Sequence, residues 1–435
     1  MTTEDLSNTY SFENTILRYE SYLNGFTDSV FSELDLEYEK LNLNQKIDNL
    51  IKGEKVNFTE DQAAWHPRYR ANTSSWPSKD FLDFLNSGTL KGIRNIVVLG
   101  IGGSFEGPKL LIESLIGTNT SLNHLFITGS DPDEFIEKTS NLNAKETLFI
   151  VSSKSFTTDE TIETLNKAID WSGNMSKFIA ITANKAESQK YNIKHIIEFD
   201  KEIGGRYSIW SDISIPAFFE NSYDPNDFLK GGHQADIDLQ NDKDYLRFIK
   251  TLSFSDIWLN NFQAKNARAI LSYSWKLRSF PDYAQQLEME SLGKRSNHNS
   301  EFKNTGQIIF GGYGPKAQHS YFQLLHQGTQ NICADIIASK EDSKSLAYAQ
   351  AVTQAKLLSD GANDLLNEEE KINGNIPLNL FLLNKIDAYT LGYLIASWEH
   401  RTYITAAMLQ INPFDQFGVN AGKIYTKKYL KDNGA

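Results

Sequence analysis

The chain has 435 residues, of which 40% are hydrophobic and 12% aromatic, and a formal net charge of −12. That length suits two or three domains with large cores, and the acidic balance argues against general nucleic-acid or anionic-membrane binding, which needs a basic face. A single cysteine, Cys333, excludes an internal disulfide framework and a cysteine metal cluster, while an acidic N-terminus without signal-peptide character and the lack of a long apolar run predict a cytoplasmic protein.

Residues 1–50 read as helical, with Leu and Phe spaced among Glu, Asp and Lys. Asn57, Thr59 and Glu60 then resemble a helix start, and His66-Pro67 a stop. His66, Arg68 and Arg70 could meet an anion; the preferred reading is that they fix a loop to neighbouring carbonyls and carboxylates.

From Asn95 the pattern alternates strands and helices. Strands are predicted at Ile96–Leu99, Leu125–Thr128, Leu148–Val151, Phe178–Thr182 and Ile196–Phe199. This rhythm indicates a parallel, doubly wound α/β sheet, whose ligands sit at the carboxyl ends of its strands. The loops after Leu99 and Val151 then share one rim. The first, GIGGSFEGPK, brings Gly100, Gly102, Gly103 and Ser104 to an anion. It fails a dinucleotide fingerprint because Phe105 stands where the third glycine is needed. A nicotinamide-nucleotide oxidoreductase is disfavoured on that ground.

The second loop is the richest stretch of the chain. Ser152, Ser153, Ser155, Thr157 and Thr158 surround Lys154, and a helix follows through Thr161, Ile162 and Leu165. Hydroxyls at a helix N-terminus, where unpaired N–H groups carry partial positive charge, make a seat for a phosphomonoester. The plain alternative is a Ser/Thr-rich cap, with Thr157 or Thr158 bonding back to Glu160 or Thr161. Further on, Gly204-Gly205 sets a turn from which Arg206 emerges, as a surface residue or as a cation aimed into a cleft.

Residues 217–265 read as helices with acidic linkers, and Tyr223–Asp244 is the best place for a domain junction. A second α/β unit follows, with strands at Ala269–Ser272, Gln307–Phe310, Ile332–Ile337 and Leu378–Leu383. Within YAQQLEMESLGK, Gln286 and Glu290 share one helical face, and Glu288 points elsewhere. Met289 and Leu292 offer Glu290 an apolar setting suited to base work; an ion pair with Lys294 is the competing reading. His319, near a rim loop, is a better functional candidate than His326, and neither has metal-ligand spacing. Lys423 begins a helix after NPFDQFG, an electrostatic misfit that hints at a nearby anion.

Six colinear blocks resemble the phosphoglucose isomerase family: GIGGS at Gly100–Ser104, SSKSFTTDET at Ser152–Thr161, GGRYS at Gly204–Ser208, QQLEMESLGK at Gln285–Lys294, AQHSYFQLLHQGT at Ala317–Thr329 and NPFDQFGVNAGK at Asn412–Lys423. The resemblance implies two sugar-isomerase (SIS-type, flavodoxin-like) mainly parallel sheets flanked by helices. It places a helical segment over 1–75, a smaller domain over 76–225 and a larger one, with C-terminal helices, over 226–435. It implies an aldose–ketose isomerase of glycolysis and gluconeogenesis that interconverts glucose 6-phosphate and fructose 6-phosphate without metal or cofactor. Gly103, Ser104, Ser153, Lys154, Ser155 and Thr158 match its sugar-phosphate site. Glu290 matches its base, Arg206 the cation on the cis-enediolate, and His319 and Lys423 the ring-opening residues. Glu160, Gln286 and Gln416 match other pocket residues. The family's homodimer implies that His319 arrives from the partner chain. The sequence departs from the family at Gly314-Pro315-Lys316-Ala317, Leu292 and Asn420, which adjoin His319, Glu290 and Lys423 and bear on sugar preference and rate. A non-catalytic sugar-phosphate regulator on the same fold is the rival reading, and the presence of Glu290, His319 and Lys423 counts against it.

Overall fold

The computed structural model describes residues 10–72, 78–116, 120–219, 224–362, 364 and 367–433. Eleven strands among them form two sheets: β1 (Tyr10–Glu13), β2 (Leu17–Tyr22), β3 (Asn95–Leu99), β4 (Asn123–Ile127), β5 (Thr147–Ser152), β6 (Phe178–Thr182), β7 (His195–Glu198), β8 (Ala267–Ser272), β9 (Ile308–Tyr313), β10 (Ile332–Ser339) and β11 (Leu378–Leu383).

The five-stranded sheet has the order β4-β3-β5-β6-β7, and every pairing is parallel. All but the edge strands are nearly fully buried, as parallel strands covered by helices on both faces must be. The chain runs from β3 outward to β4, then crosses back to β5. The switch therefore falls between β3 and β5, where an open α/β sheet parts to admit a ligand.

The six-stranded sheet has the order β1-β2-β11-β10-β8-β9. Strands β8 to β11 are mutually parallel, and β2 pairs antiparallel with β11, Leu17 opposite Leu383 and Tyr22 opposite Leu378. The N-terminal segment thus corrects the sequence reading. It is helical only from Asp28, through helices Asp28–Lys40 and Leu43–Lys52; before them it is a β-hairpin. Asn14 closes the hairpin, its side-chain oxygen accepting from the N–H groups of Ile16 and Leu17 at 2.9 Å each. The region 55–67 also differs from expectation. Asn57–Gln62 is a bridged turn, and Pro67 opens helix His66–Ala71 rather than ending one, because its fixed φ and missing N–H suit a first turn.

Helices Pro225–Asn241 and Ala388–Met408 bind the molecule together, with Pro225–Asn241 occupying most of the expected junction. A Cβ on Gly231 would lie 1.9 Å from the Tyr389 carbonyl oxygen, and one on Gly392 would lie 2.1 Å from that of Phe228. Only glycine permits so close a crossing. Arg70 is buried beneath it, paired with Asp236 and Glu399. That bears out the structural reading for Arg70; Arg68 instead lies over the Trp65 ring, and His66 is buried against Tyr207. Among the described residues no helix is long and apolar enough to cross a membrane.

Candidate active site

The site is assembled at the switch of the five-stranded sheet. A Cβ added to Gly100 would lie 3.1 Å from the Ser152 carbonyl oxygen, so the turns leaving β3 and β5 touch. A Cβ on Gly103 would lie 1.9 Å from the Gly205 carbonyl oxygen, which presses the same turn against the one that carries Arg206. On its other side Gly102 abuts the Gln286 amide, 2.9 Å from where its Cβ would be. Absent side chains at two successive positions let three segments meet. The backbone freedom usually credited to Gly204-Gly205 is not what matters here, because neither takes a positive φ.

The hydroxyl loop stands free of the capping role set against it. Thr158 is the N-cap of helix Asp159–Ser172 and makes no side-chain cap. Its Oγ1 lies 3.3 Å from Ser153 Oγ instead. Ser153 Oγ accepts from the Phe156 N–H at 3.1 Å, and Ser155 Oγ accepts from Thr157. The first N–H groups of a fourteen-residue helix are thus left to another acceptor. Glu160 sits in the first turn of that helix. Lys154 is half-buried, and the N–H of Ala183 and the hydroxyl of Thr182 anchor its carbonyl. Burial lowers its ammonium from the usual lysine value; Glu60 and Asp200 oppose this, and Arg206 adds to it. Lys154 and Arg206 thus lie near enough to act on each other in a strongly acidic chain.

Arg206 is the hub. It lies in the 3-10 turn Gly205–Trp210 and is 3% exposed. Its Nε donates to Ser291 Oγ at 2.8 Å, and Nη2 donates to the carbonyls of Pro413 and of Asp415, the latter at 2.9 Å. Nη1 donates to Gln416 Oε1 at 2.9 Å and to Glu290 Oε2 at 3.2 Å. Three sides of the guanidinium are tied to protein, and the Nη1 side looks toward Glu290.

Glu290 projects from helix Phe280–Leu292 with Gln286 one turn before it, their side chains 3.4 Å apart. Its partner is Arg206, not the apolar wall expected from Met289 and Leu292: Met289 is exposed, and Leu292 turns into the core. Nor does it pair with Lys294, whose ammonium goes to the main-chain carbonyl of Glu290. The carboxylate is left 34% exposed and able to exchange its partner.

Gly103, Ser104, Ser153, Lys154, Ser155, Thr158, Glu160, Arg206, Gln286, Glu290 and Gln416 thus occupy adjoining turns and helix ends. His319 is not drawn in, and Lys423 approaches only through its helix, where Lys427, one turn on, pairs at 3.2 Å with Asp159 at the start of helix Asp159–Ser172. His319 is exposed, between the short helices Gly314–Ala317 and Phe322–Gln327, and Lys423 is exposed on helix Asn420–Asp432. His326 is structural, its Nε2 2.8 Å from Gln354 Oε1. Ser291 and the carbonyls of Pro413 and Asp415, which bond Arg206, carry no distinct signal in the sequence beyond proximity to Glu290 or Gln416. Among the described residues no group of three or more His, Cys, Asp or Glu is placed to hold a metal ion.

A family model described as phosphoglucose isomerase matches residues 23–434. The chain belongs to that family. A glucose-6-phosphate isomerase of Legionella pneumophila (strain Paris) is 35% identical over 421 residues, 90% of this chain and 84% of that protein. One of Aspergillus oryzae is 32% identical over 97% of this chain and 87% of its own length. Among solved structures, a glucose-6-phosphate isomerase from Chlamydia trachomatis D/UW-3/Cx superposes with a TM-score of 0.88 at 24% identity, covering all of this chain and 92% of that one. A tagatose-6-phosphate ketose/aldose isomerase from Escherichia coli matches at a TM-score of 0.50 and 12% identity, over 81% of this chain and 95% of its own. Both structures share the fold of this chain, while sequence kinship places the chain in one family.

Proposed function

We propose that this chain interconverts glucose 6-phosphate and fructose 6-phosphate by moving a proton between C1 and C2 of the opened sugar. One observation carries the reading: a fixed guanidinium, Arg206, stands against the Glu290 carboxylate beside a hydroxyl-lined helix N-terminus. Ser153, Ser155 and Thr158, with Lys154 and the glycine turn at Gly103-Ser104, hold the phosphate and so fix the distant reacting carbons. Glu290 takes the proton α to the carbonyl. Arg206 stabilises the oxygen of the enediolate as charge builds there. Gln286, Gln416 and Glu160 orient sugar hydroxyls, and His319 and Lys423 open the ring.

The role of His319 calls for a second subunit. Helix Asn420–Asp432 has no buried residue, and the stretch around it exposes Phe417, Val419, Ile424, Tyr425, Tyr429 and Leu430. So apolar a face supports a homodimer in which the partner subunit's His319 completes the site. The division into a 1–75 arm and units 76–225 and 226–435, and a cytoplasmic, glycolytic role, go with this reading.

Purified protein incubated with fructose 6-phosphate in chelator is expected to form glucose 6-phosphate; no conversion ends the proposal. Refolding a mixture of His319→Ala and Glu290→Gln subunits tests the shared site. Activity returning in the mixture, from two inert parents, is expected if one intact site forms across the dimer. A mixture as inert as its parents places His319 elsewhere.

A further inference from the structure

Lys294 lies just past the end of the helix that carries Glu290, on the C-terminal side of Gly293. Its ammonium makes two hydrogen bonds, both to main-chain carbonyls, and stands close to one carboxylate. One goes to the main-chain carbonyl of Glu290, one to that of Asp415 at 2.8 Å, and Asp415 Oδ1 stands 3.6 Å away. The Lys294 side chain is 16% exposed and that of Asp415 10%. Asp415 is itself a node. Its other carboxylate oxygen accepts from Thr59 Oγ1 at 2.8 Å, and its carbonyl also accepts from Arg206 Nη2. The next residue, Gln416, places its amide oxygen on Arg206 Nη1, beside Glu290.

We propose that Lys294 is a positioning residue for the isomerase reaction, a clip that sets the Asp415-Gln416 loop at a fixed distance from the Glu290 carboxylate. The inference rests on the isomerase reading above. With two donors on main-chain carbonyls and its charge opposite the Asp415 carboxylate, Lys294 is held by protein, and its action passes through the two segments it joins. Its placement also costs the fold something. Burial, with Arg206 nearby, depresses its ammonium to about 8 against the pull of Asp415 and Glu290. A cation held at that cost between two site-bearing segments, one of them 121 residues further along the chain, makes sense if their relative placement is what matters.

The test compares Lys294→Met, Lys294→Arg, Asp415→Asn and the Lys294→Met/Asp415→Asn double variant. A displacement of about 1 Å at a reacting group costs on the order of 100-fold in rate, so Lys294→Met is expected to lower kcat by ~10- to 100-fold. KM for fructose 6-phosphate should stay within about twofold, because the phosphate seat is untouched. Lys294→Arg, whose longer fork reaches both carbonyls, should recover most of the loss. The double variant should be no worse than Lys294→Met alone: Asp415→Asn leaves the Asp415 carbonyl in place and removes only the charge opposite the ammonium, which Lys294→Met has already left without a partner. Amide hydrogen exchange over residues 412–419 should quicken in Lys294→Met with the rest of the map unchanged. Additive losses, an unchanged kcat in Lys294→Met, or equal losses in kcat and the folded fraction would overturn the proposal. A wild type without turnover would sink the isomerase reading instead. The exchange map tests the clip on its own, and an unchanged map would refute it.

Discussion

Glu288 and Glu290 sit two residues apart on one helix, each paired with an arginine, and they do opposite things. Two residues turn an α-helix by roughly 200°, so one side chain enters the core while the other faces the cleft. Glu288 is 3% exposed; it pairs with Arg268 and accepts from Trp398 Nε1 at 2.6 Å. Around it Arg268 also meets Asp256 and, at 3.2 Å, Asp335, while Arg401 binds Asp256 and Asp335 at 2.7 and 2.8 Å. Every member of the network is buried. Glu290 has one cation, one open side and a neighbour, Gln286, in loose contact. A charge whose bonds are all taken serves the fold, because nothing can be exchanged without leaving a buried charge alone. A charge with a free side can trade its protein partner for substrate.

The comparison breaks most visibly at Glu290. Glu290→Gln should lower isomerase turnover by about 10²- to 10⁴-fold, the usual worth of a general base, while a denaturant melt shifts by less than about 0.5 kcal/mol. A melt shifted as far as the rate would merge the two regions into one. Arg268→Met should do the reverse. Stripping the cation from three buried carboxylates is expected to cost about 3–5 kcal/mol of stability, with near-normal turnover in the molecules that remain folded. Calorimetry beside active-site titration separates the two quantities.

A smaller effect belongs to the phosphate seat. Thr158→Val keeps the shape of a side chain that makes no helix cap. Losing one hydrogen bond to a charged group, worth roughly 1.5–3 kcal/mol, should raise KM for fructose 6-phosphate about tenfold or more. An unchanged KM and unchanged inhibition by inorganic phosphate would take Thr158 out of the seat.

The smallest effect is one of pH, in a second buried network. Burial would raise the Asp236 carboxyl, but Arg70 and His400 outweigh it and hold it at about 2, below the ordinary 3.8. Between those values the unfolded chain binds the proton first. The contribution of Asp236 is therefore full above the ordinary value and is lost as pH falls through about 2. Asp236→Asn should flatten the acid limb of stability between about pH 4 and 2, and an unaltered limb would deny the assignment.

Nine strands could be read within a few residues at each end because parallel strands buried on both faces appear as unbroken runs of β-branched and large apolar residues. The hairpin Tyr10–Tyr22 escaped. Its aromatics alternate among charges in a way that also fits a helical face, and what makes it a strand is β11, more than 350 residues away. Met289 beside Glu290 suggested a dry base, yet neighbours in sequence do not surround a helical side chain. The groups that do, Arg206 and Gln416, come from other segments.

Residue order alone determined the family, the two sheets, the rim where ligands gather and the candidate base, because each depends on local pattern or on motifs that survive in one dimension. Tertiary structure decided which carboxylate is spent and which is free, where Lys294 points, and that His319 lies outside the cluster formed by one chain. Those outcomes depend on what approaches from hundreds of residues away, and electrostatic partners are chosen by distance in space.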